Sequence, residues 1–205
     1  VHIEDAVGCD WTSAGFEIKA GSSISVVSEN EIDVVCFGES NGAFTVVATG
    51  LPSGNYEFQL SGSSDWLANG TGRYVFNNLP AGTYDVTVRD ADNPGCQAVM
   101  TPSVEIEQPT EAVYMAVGAV TDITCSLDAE GEIEVRAAGG NDSGDFDYVL
   151  YREVSPGFWV NIKAGTEPAG TSHVFEDLFA GNYRVVAIDP EGCSVTEEYT
   201  VDGPA

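Results

Sequence analysis

Short segments of alternating apolar and polar residues recur along the chain and predict strands. In residues 83–91, TYDVTVRDA, the apolar Tyr84, Val86 and Val88 alternate with polar neighbours, so one face is expected to be buried. Segments of similar composition, separated by Gly, Pro, Asn and Ser, occupy residues 42–50, 55–62 and 73–79. No segment has sustained helical periodicity. This pattern predicts an all-β fold, either a sandwich or a Greek-key barrel.

The same series of segments occurs twice. Strand patterns at residues 132–139, 147–154, 173–178 and 182–189 repeat the order of the first four. The stretch NLPAGTYDVTVRDADNPGC returns as DLFAGNYRVVAIDPEGC about 100 residues later, and the first nine residues, VHIEDAVGC, resemble its end. A repeat of about 90 residues has the size of an immunoglobulin-like module. We therefore expect a C-terminal strand region of a truncated upstream repeat in residues 1–21, followed by two repeats in residues 22–109 and 110–205.

The segments LPAGTY and LFAGNY predict the same turn in both repeats. In each, a glycine lies two residues before a tyrosine that begins a strand. This is typical of a tyrosine corner, in which the tyrosine hydroxyl donates a hydrogen bond back to the turn backbone. We expect Tyr84 and Tyr183 to have this role, and Gly82 and Gly181 to have positive φ.

Charge excludes two classes of partner. Seven Lys and Arg oppose 33 Asp and Glu among 205 residues, a formal net charge of −26, which repels nucleic acid and anionic lipid surfaces. The apolar runs are far shorter than the roughly 20 residues that span a bilayer, so no membrane insertion by this segment is expected. The 43% hydrophobic content is sufficient for folded cores. The chain also begins inside a repeat without a signal peptide, which suggests a piece of a longer protein.

Five cysteines follow the repeat. Cys36 and Cys125 open the two complete repeats, whereas Cys9, Cys96 and Cys193 each close a repeat after a glycine. We expect the bridges Cys36–Cys96 and Cys125–Cys193, with Cys9 unpaired or bonded to another molecule. Closing a loop of roughly 60 residues contributes about 4 kcal/mol in the chain-entropy model. Disulfides imply export to an oxidising compartment, and without a CxxC motif these cysteines do not resemble a zinc site.

Acidic residues precede each closing cysteine and suggest a metal site. Asp90, Asp92 and Asn93 offer closely spaced oxygen ligands, and Asp189 with Glu191 offers a smaller set. Calcium takes about six to eight oxygen ligands, and acidic loops at module junctions can supply them. The alternative is that these residues only stabilise turns, because Asp and Asn side chains bond the local backbone. Calcium is therefore one hypothesis for these loops.

The sequence offers little for catalysis. His2 and His173 are the two histidines, and no nucleophile motif accompanies either, so an enzyme is not expected. Trp66 lies in a polar, glycine-rich segment and is the best candidate for stacking on a sugar, whereas Trp159 is expected to pack in a core.

The segment from residue 34 to 109 resembles a known repeat. Its motifs are Cys-Phe-Gly followed by Asn-Gly, then Leu-Pro-Ala-Gly-Thr-Tyr, Asp…Gly-Cys and a closing Gln-Pro. They resemble the repeat of SprB-type adhesins, the very large surface proteins of gliding Bacteroidetes, and the second repeat is less similar. The resemblance implies tandem immunoglobulin-like sandwiches in a stalk, exported by the type IX system and displayed on the cell surface. The same repeat type occurs in other long secreted proteins.

The reading we favour is a non-catalytic extracellular stalk or adhesion segment, with neighbouring repeats and an adhesive ligand such as a surface polysaccharide as partners. One alternative is a pair of carbohydrate-binding modules attached to a secreted hydrolase. Another is a filament subunit in which residues 1–21 complete a neighbouring sandwich by β-strand addition.

Overall fold

A computed structural model describes residues 2–12, 23–51, 53–124, 130–141 and 143–204. These residues form strands, turns and bends and no helix, so the all-β prediction is confirmed. It follows that none of them belongs to a helix able to cross a membrane. The strands in this part of the chain are β1 (His2–Glu4), β2 (Asp10–Thr12), β3 (Ser25–Ile32), β4 (Gly42–Thr49), β5 (Tyr56–Leu60), β6 (Leu67–Asn69), β7 (Arg73–Leu79), β8 (Gly82–Tyr84), β9 (Val86–Asp90), β10 (Gln97–Val99), β11 (Val104–Ile106), β12 (Tyr114–Thr121), β13 (Gly131–Ala138), β14 (Asp145–Ser155), β15 (Phe158–Pro168), β16 (His173–Leu178), β17 (Gly181–Ile188) and β18 (Ser194–Val201).

Strands β3 to β11 form the first sandwich. One sheet has the order β3-β4-β7, the other has the order β10-β9-β5-β6, and β8 pairs with β11. All these pairs are antiparallel. Alternate residues of β4 and β9 point inward, and Phe44, Val46, Val86 and Val88 are fully buried in a common core. The period-two pattern in the sequence therefore defines the buried face.

Strands β12 to β18 form the second sandwich with the same plan. Its sheets have the orders β12-β13-β16 and β15-β14-β17-β18, again antiparallel. Its core is a separate cluster that includes Ile133, Leu150, Phe175 and Val185. A three-stranded sheet against a four-stranded one is an immunoglobulin-like sandwich. Each sandwich thus buries its own set of alternating apolar residues.

The N-terminal residues form a hairpin of their own. β1 pairs with β2 in antiparallel register, with Ile3 opposite Trp11. Strand addition by residues 1–21 stays a prediction. In this hairpin the two short strands, β1 and β2, are already paired with each other. Residues 13–21 lie outside the part of the chain that the structure describes.

The predicted tyrosine corners are confirmed. The Tyr84 hydroxyl donates to the Pro80 carbonyl oxygen at 2.7 Å, and the Tyr183 hydroxyl donates to the Phe179 carbonyl oxygen at 2.6 Å. In these two turns, φ is +156° at Gly82 and +155° at Gly181. The corners close the turn between β7 and β8, and between β16 and β17. They fix how the chain crosses from one sheet to the other.

Replacing Tyr183 by Phe should cost about 1 kcal/mol of unfolding free energy at neutral pH, because the corner loses one hydrogen bond. Burial raises the pKa of the Tyr183 hydroxyl above its ordinary value. The stabilisation is therefore present below the ordinary value of about 10 and is lost as the pH rises through the raised pKa. Urea unfolding at pH 7 and pH 10.5 should show a smaller alkaline loss for Tyr183→Phe than for the wild type.

Tyr114→Phe is the matched control, because Tyr114 is 44% exposed and should change stability little at either pH. Equal alkaline losses in the wild type and Tyr183→Phe would contradict the assigned role of the corner hydroxyl.

Candidate functional site

The structure joins its two sandwiches by a disulfide between Cys36 and Cys193, whose Cα atoms are 5.6 Å apart. Cys36 lies in the loop of residues 33–41, here called the opening loop, between β3 and β4. Cys193 ends the loop of residues 189–193, between β17 and β18. The expected pairing within each repeat is therefore wrong for Cys36 and for Cys193.

Distance explains why the bridge within a repeat does not form. Cys36 precedes Gly42, where β4 begins, whereas Cys96 follows β9 at the other end of the sandwich, near the loop that follows Thr49. The eight residues of β4 separate these ends by roughly 23 Å at about 3.3 Å per residue. A disulfide needs Cα atoms within about 7 Å. Cys36 and Cys96 of the first sandwich therefore cannot reach each other.

The remaining cysteines differ in their surroundings. Cys96 is a free, half-buried thiol, and Cys9 is a free, exposed thiol in the N-terminal hairpin. Cys125, expected to pair with Cys193, lies outside the described residues. The bridge that forms uses one opening and one closing cysteine, as the sequence suggested, but takes them from different repeats.

Three backbone amides donate hydrogen bonds that hold the opening loop against the linker into the second sandwich. The Val34 amide donates to the Glu107 carbonyl oxygen at 2.9 Å, and the Glu107 amide donates to Asp33 Oδ1 at 2.8 Å. The Gly38 amide donates to Gln108 Oε1 at 2.9 Å. These bonds place the opening loop where the second sandwich begins.

A buried carboxylate organises the opposite side of the junction. Asp189 is 4% exposed, and its Oδ1 accepts hydrogen bonds from the amides of Glu191 (3.0 Å) and Cys193 (2.8 Å). Its Oδ2 accepts the Asn141 amide at 2.9 Å. The Asn141 side chain then reaches across, and its Nδ2 donates to the Val35 carbonyl oxygen at 3.1 Å. Asp189 thus positions both the loop that carries Cys193 and Asn141, the residue that bonds the first sandwich.

Apolar packing across the junction is limited. A groove of about 290 Å³ lies beside the bridge, lined by Phe37, Glu39, Gly140 and Ser194 among others. Phe37 remains 45% exposed there. The bridge and the hydrogen bonds, rather than a buried apolar surface, are therefore the main connections in this region.

The polar side chains of the loop of residues 90–96 form hydrogen bonds within that loop and to the loop that precedes β5. Asp90 Oδ1 accepts the Asp92 amide at 3.0 Å, and Asp92 Oδ2 accepts a hydrogen bond from Asn55 Nδ2 at 2.8 Å. Asn93 Nδ2 lies 3.2 Å from the Cys96 sulfur. These contacts are those of turn-forming residues.

The calcium hypothesis gains no ligand cluster from these positions. Asp189 is occupied by backbone amides, including that of Glu191. Within the described ranges, no three or more His, Cys, Asp and Glu side chains are grouped so as to hold a metal ion. Calcium binding at Asp90, Asp92, Asn93, Asp189 and Glu191 stays a prediction, which a calorimetric calcium titration can test.

Trp66 is covered on one face by an arginine. The Arg89 guanidinium lies 3.7 Å from the Trp66 ring centroid, and Arg89 Nε donates to Glu57 Oε2 at 2.7 Å. On the corresponding strand of the second sandwich, Arg184 lies 4.2 Å from the Trp159 ring. Both tryptophans therefore take part in cation–π contacts. The expectation that Trp159 packs in a core is wrong, because its side chain is half-buried against Arg184 and is not among the residues of the second core. Sequence reasoning missed both arginines, and sugar binding by Trp66 stays a prediction.

The histidines have structural contacts. His173 Nδ1 lies 3.0 Å from Glu167 Oε1, and the ring stacks on Tyr148 with centroids 5.7 Å apart. His2 Nδ1 contacts Thr12 Oγ1 at 2.9 Å. In the part of the chain that is described, neither ring is hydrogen-bonded to a serine or cysteine that could act as a nucleophile.

Comparison with known protein families gives one match. Residues 29–65, in the first sandwich, match the family model described as SprB repeat, which confirms the resemblance seen in the sequence for this segment. No curated protein matches the chain in sequence.

Three solved structures with some similarity to the chain have low TM-scores. The chicken CNTN1 FN1-FN3 domains are 17% identical with a TM-score of 0.32, covering 98% of this chain and 76% of that one. DIP-gamma IG1+IG2 is 9% identical with a TM-score of 0.38, covering 91% and 99%. The C-terminal 282-residue fragment of intimin, in complex with the intimin-binding domain of the translocated intimin receptor, is 17% identical with a TM-score of 0.35, covering 90% and 64%.

Asp189→Ala should destabilise the second sandwich by about 3 kcal/mol, because the buried Cys193 amide and the part-buried Asn141 and Glu191 amides lose their acceptor. Urea unfolding followed by tyrosine and tryptophan fluorescence measures the change. Asp5→Ala is the matched control. Asp5 Oδ1 accepts the same bonds from Val7 (2.9 Å) and Cys9 (3.0 Å), but there they are exposed and water can replace them. Equal effects of the two substitutions would contradict the role given to burial.

Proposed function

We propose that the chain is a non-catalytic segment of the stalk of a large extracellular adhesin. The SprB-type repeat supports an adhesin-type protein, and the tandem sandwiches support a stalk. The observation that carries the proposal is the covalent bridge from Cys36 to Cys193 across the junction. A bridge between domains limits how they move relative to each other, which is what a stalk requires.

The bridge also changes what happens under tension. It joins residues separated by 157 positions, so tension between the chain termini passes from Cys36 through the sulfur atoms to Cys193. The intervening residues, which form most of both sandwiches, are bypassed. In the chain-entropy model, closing such a loop contributes about 5 kcal/mol to stability. The stalk segment thereby resists both unfolding and lengthening.

Charge and linker composition favour an extended array. The net charge of −26 makes neighbouring stalks repel one another. Pro109 lies in the short linker between β11 and β12, and proline restricts bending more than glycine or serine would. An array of such sandwiches is suited to hold a distal adhesive tip away from the surface.

The repeat type and the disulfide support a finer assignment. A disulfide persists in oxidising compartments, which supports export. We propose display on the cell surface, with neighbouring repeats of the same protein and an adhesive ligand such as a surface polysaccharide as partners. A gliding-motility adhesin is the particular protein type we propose.

Single-molecule force spectroscopy tests the stalk proposal. When the chain is pulled from its two termini in oxidising buffer, the bypassed residues should add no contour length. Reductant should release roughly 500 Å of additional contour, because a residue spans about 3.3–3.6 Å when extended.

Cys36→Ser is the control and should show the long extension with or without reductant. Full extension of the wild-type chain without reductant would mean that tension passes through the sandwiches, and the proposed mechanical role would be refuted.

A further inference from the structure

Three loops in the described part of the chain have the same hydrogen-bonded structure, and we call them the closing loops. Each begins at an aspartate, ends at a cysteine that follows a glycine, and is closed by a hydrogen bond from the aspartate amide to the cysteine carbonyl oxygen. The pairs are Asp5–Cys9 (3.0 Å), Asp90–Cys96 (3.0 Å) and Asp189–Cys193 (2.9 Å). In each loop the residue after the cysteine pairs with the residue before the aspartate. Cys96 therefore occupies in the first sandwich the position that Cys193 occupies in the second, although its loop is two residues longer.

The equivalent position in the second sandwich is bridged. Cys193 is 6% exposed and is bonded to Cys36, which comes from the preceding sandwich and packs against the second core. Cys96 is a free thiol and is partly exposed. The closing cysteine that forms a disulfide, Cys193, is thus the one that lies next to the opening loop of a preceding sandwich.

The chain also enters both sandwiches in the same way beside these loops. Gly50, with φ +101°, lies so close to the Ser23 carbonyl oxygen that a Cβ atom would collide with it. Gly139, with φ +77°, lies in the same way against the Ala112 carbonyl oxygen. In both sandwiches the entering chain lies against a glycine in the same way. A sandwich that precedes Ser23 would therefore approach Cys96 from the direction in which the first sandwich approaches Cys193.

We propose that Cys96 is a disulfide site for the opening-loop cysteine of a preceding sandwich of the same repeat type. This inference rests on the tandem stalk proposed above. The two thiols lose two protons and two electrons to a disulfide oxidant, which is reduced to two thiols, and a sulfur–sulfur bond forms through a mixed disulfide. Each bridge then joins one sandwich to the next, and no bridge lies within a sandwich.

A three-sandwich chain tests the inference. Residues 1–109 are followed directly by residues 21–205, so that seven residues separate Ile106 of the first copy from Ser25 of the second. The natural junction also has seven residues between Ile106 and Tyr114. Cys9→Ser, Cys125→Ser and, in the first copy, Cys96→Ser remove other thiols, and Ser40→Ala marks the opening-loop peptide of the first copy.

The chain is refolded with oxidised glutathione, alkylated without reduction and mapped by mass spectrometry. We expect the peptide with Cys96 to be linked to the marked peptide with Cys36. The unmarked Cys36 should be linked to Cys193, and no thiol should be alkylated.

The matched control carries Cys36→Ser in the first copy. There Cys96 should become the alkylated thiol, while the bridge from Cys36 to Cys193 persists. Alkylation of Cys96 in the parent chain beside an intact Cys36–Cys193 bridge would overturn this inference and leave the proposed stalk standing. Linkage of Cys96 to the Cys36 of its own copy would also overturn it. Absence of any Cys36–Cys193 bridge would refute both proposals.

Discussion

The distance between the two ends of a sandwich is the constraint on which the cross-linking of this protein depends. The opening loop with Cys36 and the closing loop with Cys96 are separated by the whole length of β4. A disulfide bridges only a few ångströms, so Cys36 cannot bond Cys96 of its own sandwich. The observed pair, Cys36 and Cys193, satisfies this requirement. The bridge from Cys36 therefore links the two sandwiches and does not stabilise the first sandwich internally.

The other contacts at the junction hold the segments around this disulfide in place. Asp189 gives the loop around Cys193 its shape through bonds to backbone amides, and Asn141 connects the same carboxylate to the first sandwich. Since little apolar surface is buried beside the bridge, the orientation of the sandwiches depends on these directional bonds and on the linker bonds at Glu107. The contacts at this junction are therefore mainly polar.

The two sandwiches show how far similarity between repeats extends. Both have the tyrosine corner, the same strand order and an arginine stacked on a tryptophan of the outer sheet face. The stacks were not foreseen, because Arg89 and Trp66 are distant in sequence and nothing local relates them. Composition suggested the acidic loops as metal sites, which stays a prediction, and in the structure Asp90 and Asp189 accept hydrogen bonds from amides of their own loops. Composition reports which ligands are present, whereas hydrogen bonding decides which of them are free.

The sequence by itself determined the features that depend on neighbours along the chain. Alternation defined the strands and their buried faces, and a glycine two residues before a tyrosine defined the corner, because these patterns follow from the local backbone geometry. Only the tertiary structure decided the partner of Cys36 and the role of Asp189. Both depend on which ends of separate strands meet in space, and spacing along the chain does not report that distance. The repeat showed which cysteines are equivalent, and packing of one sandwich on the next determined which of them bond.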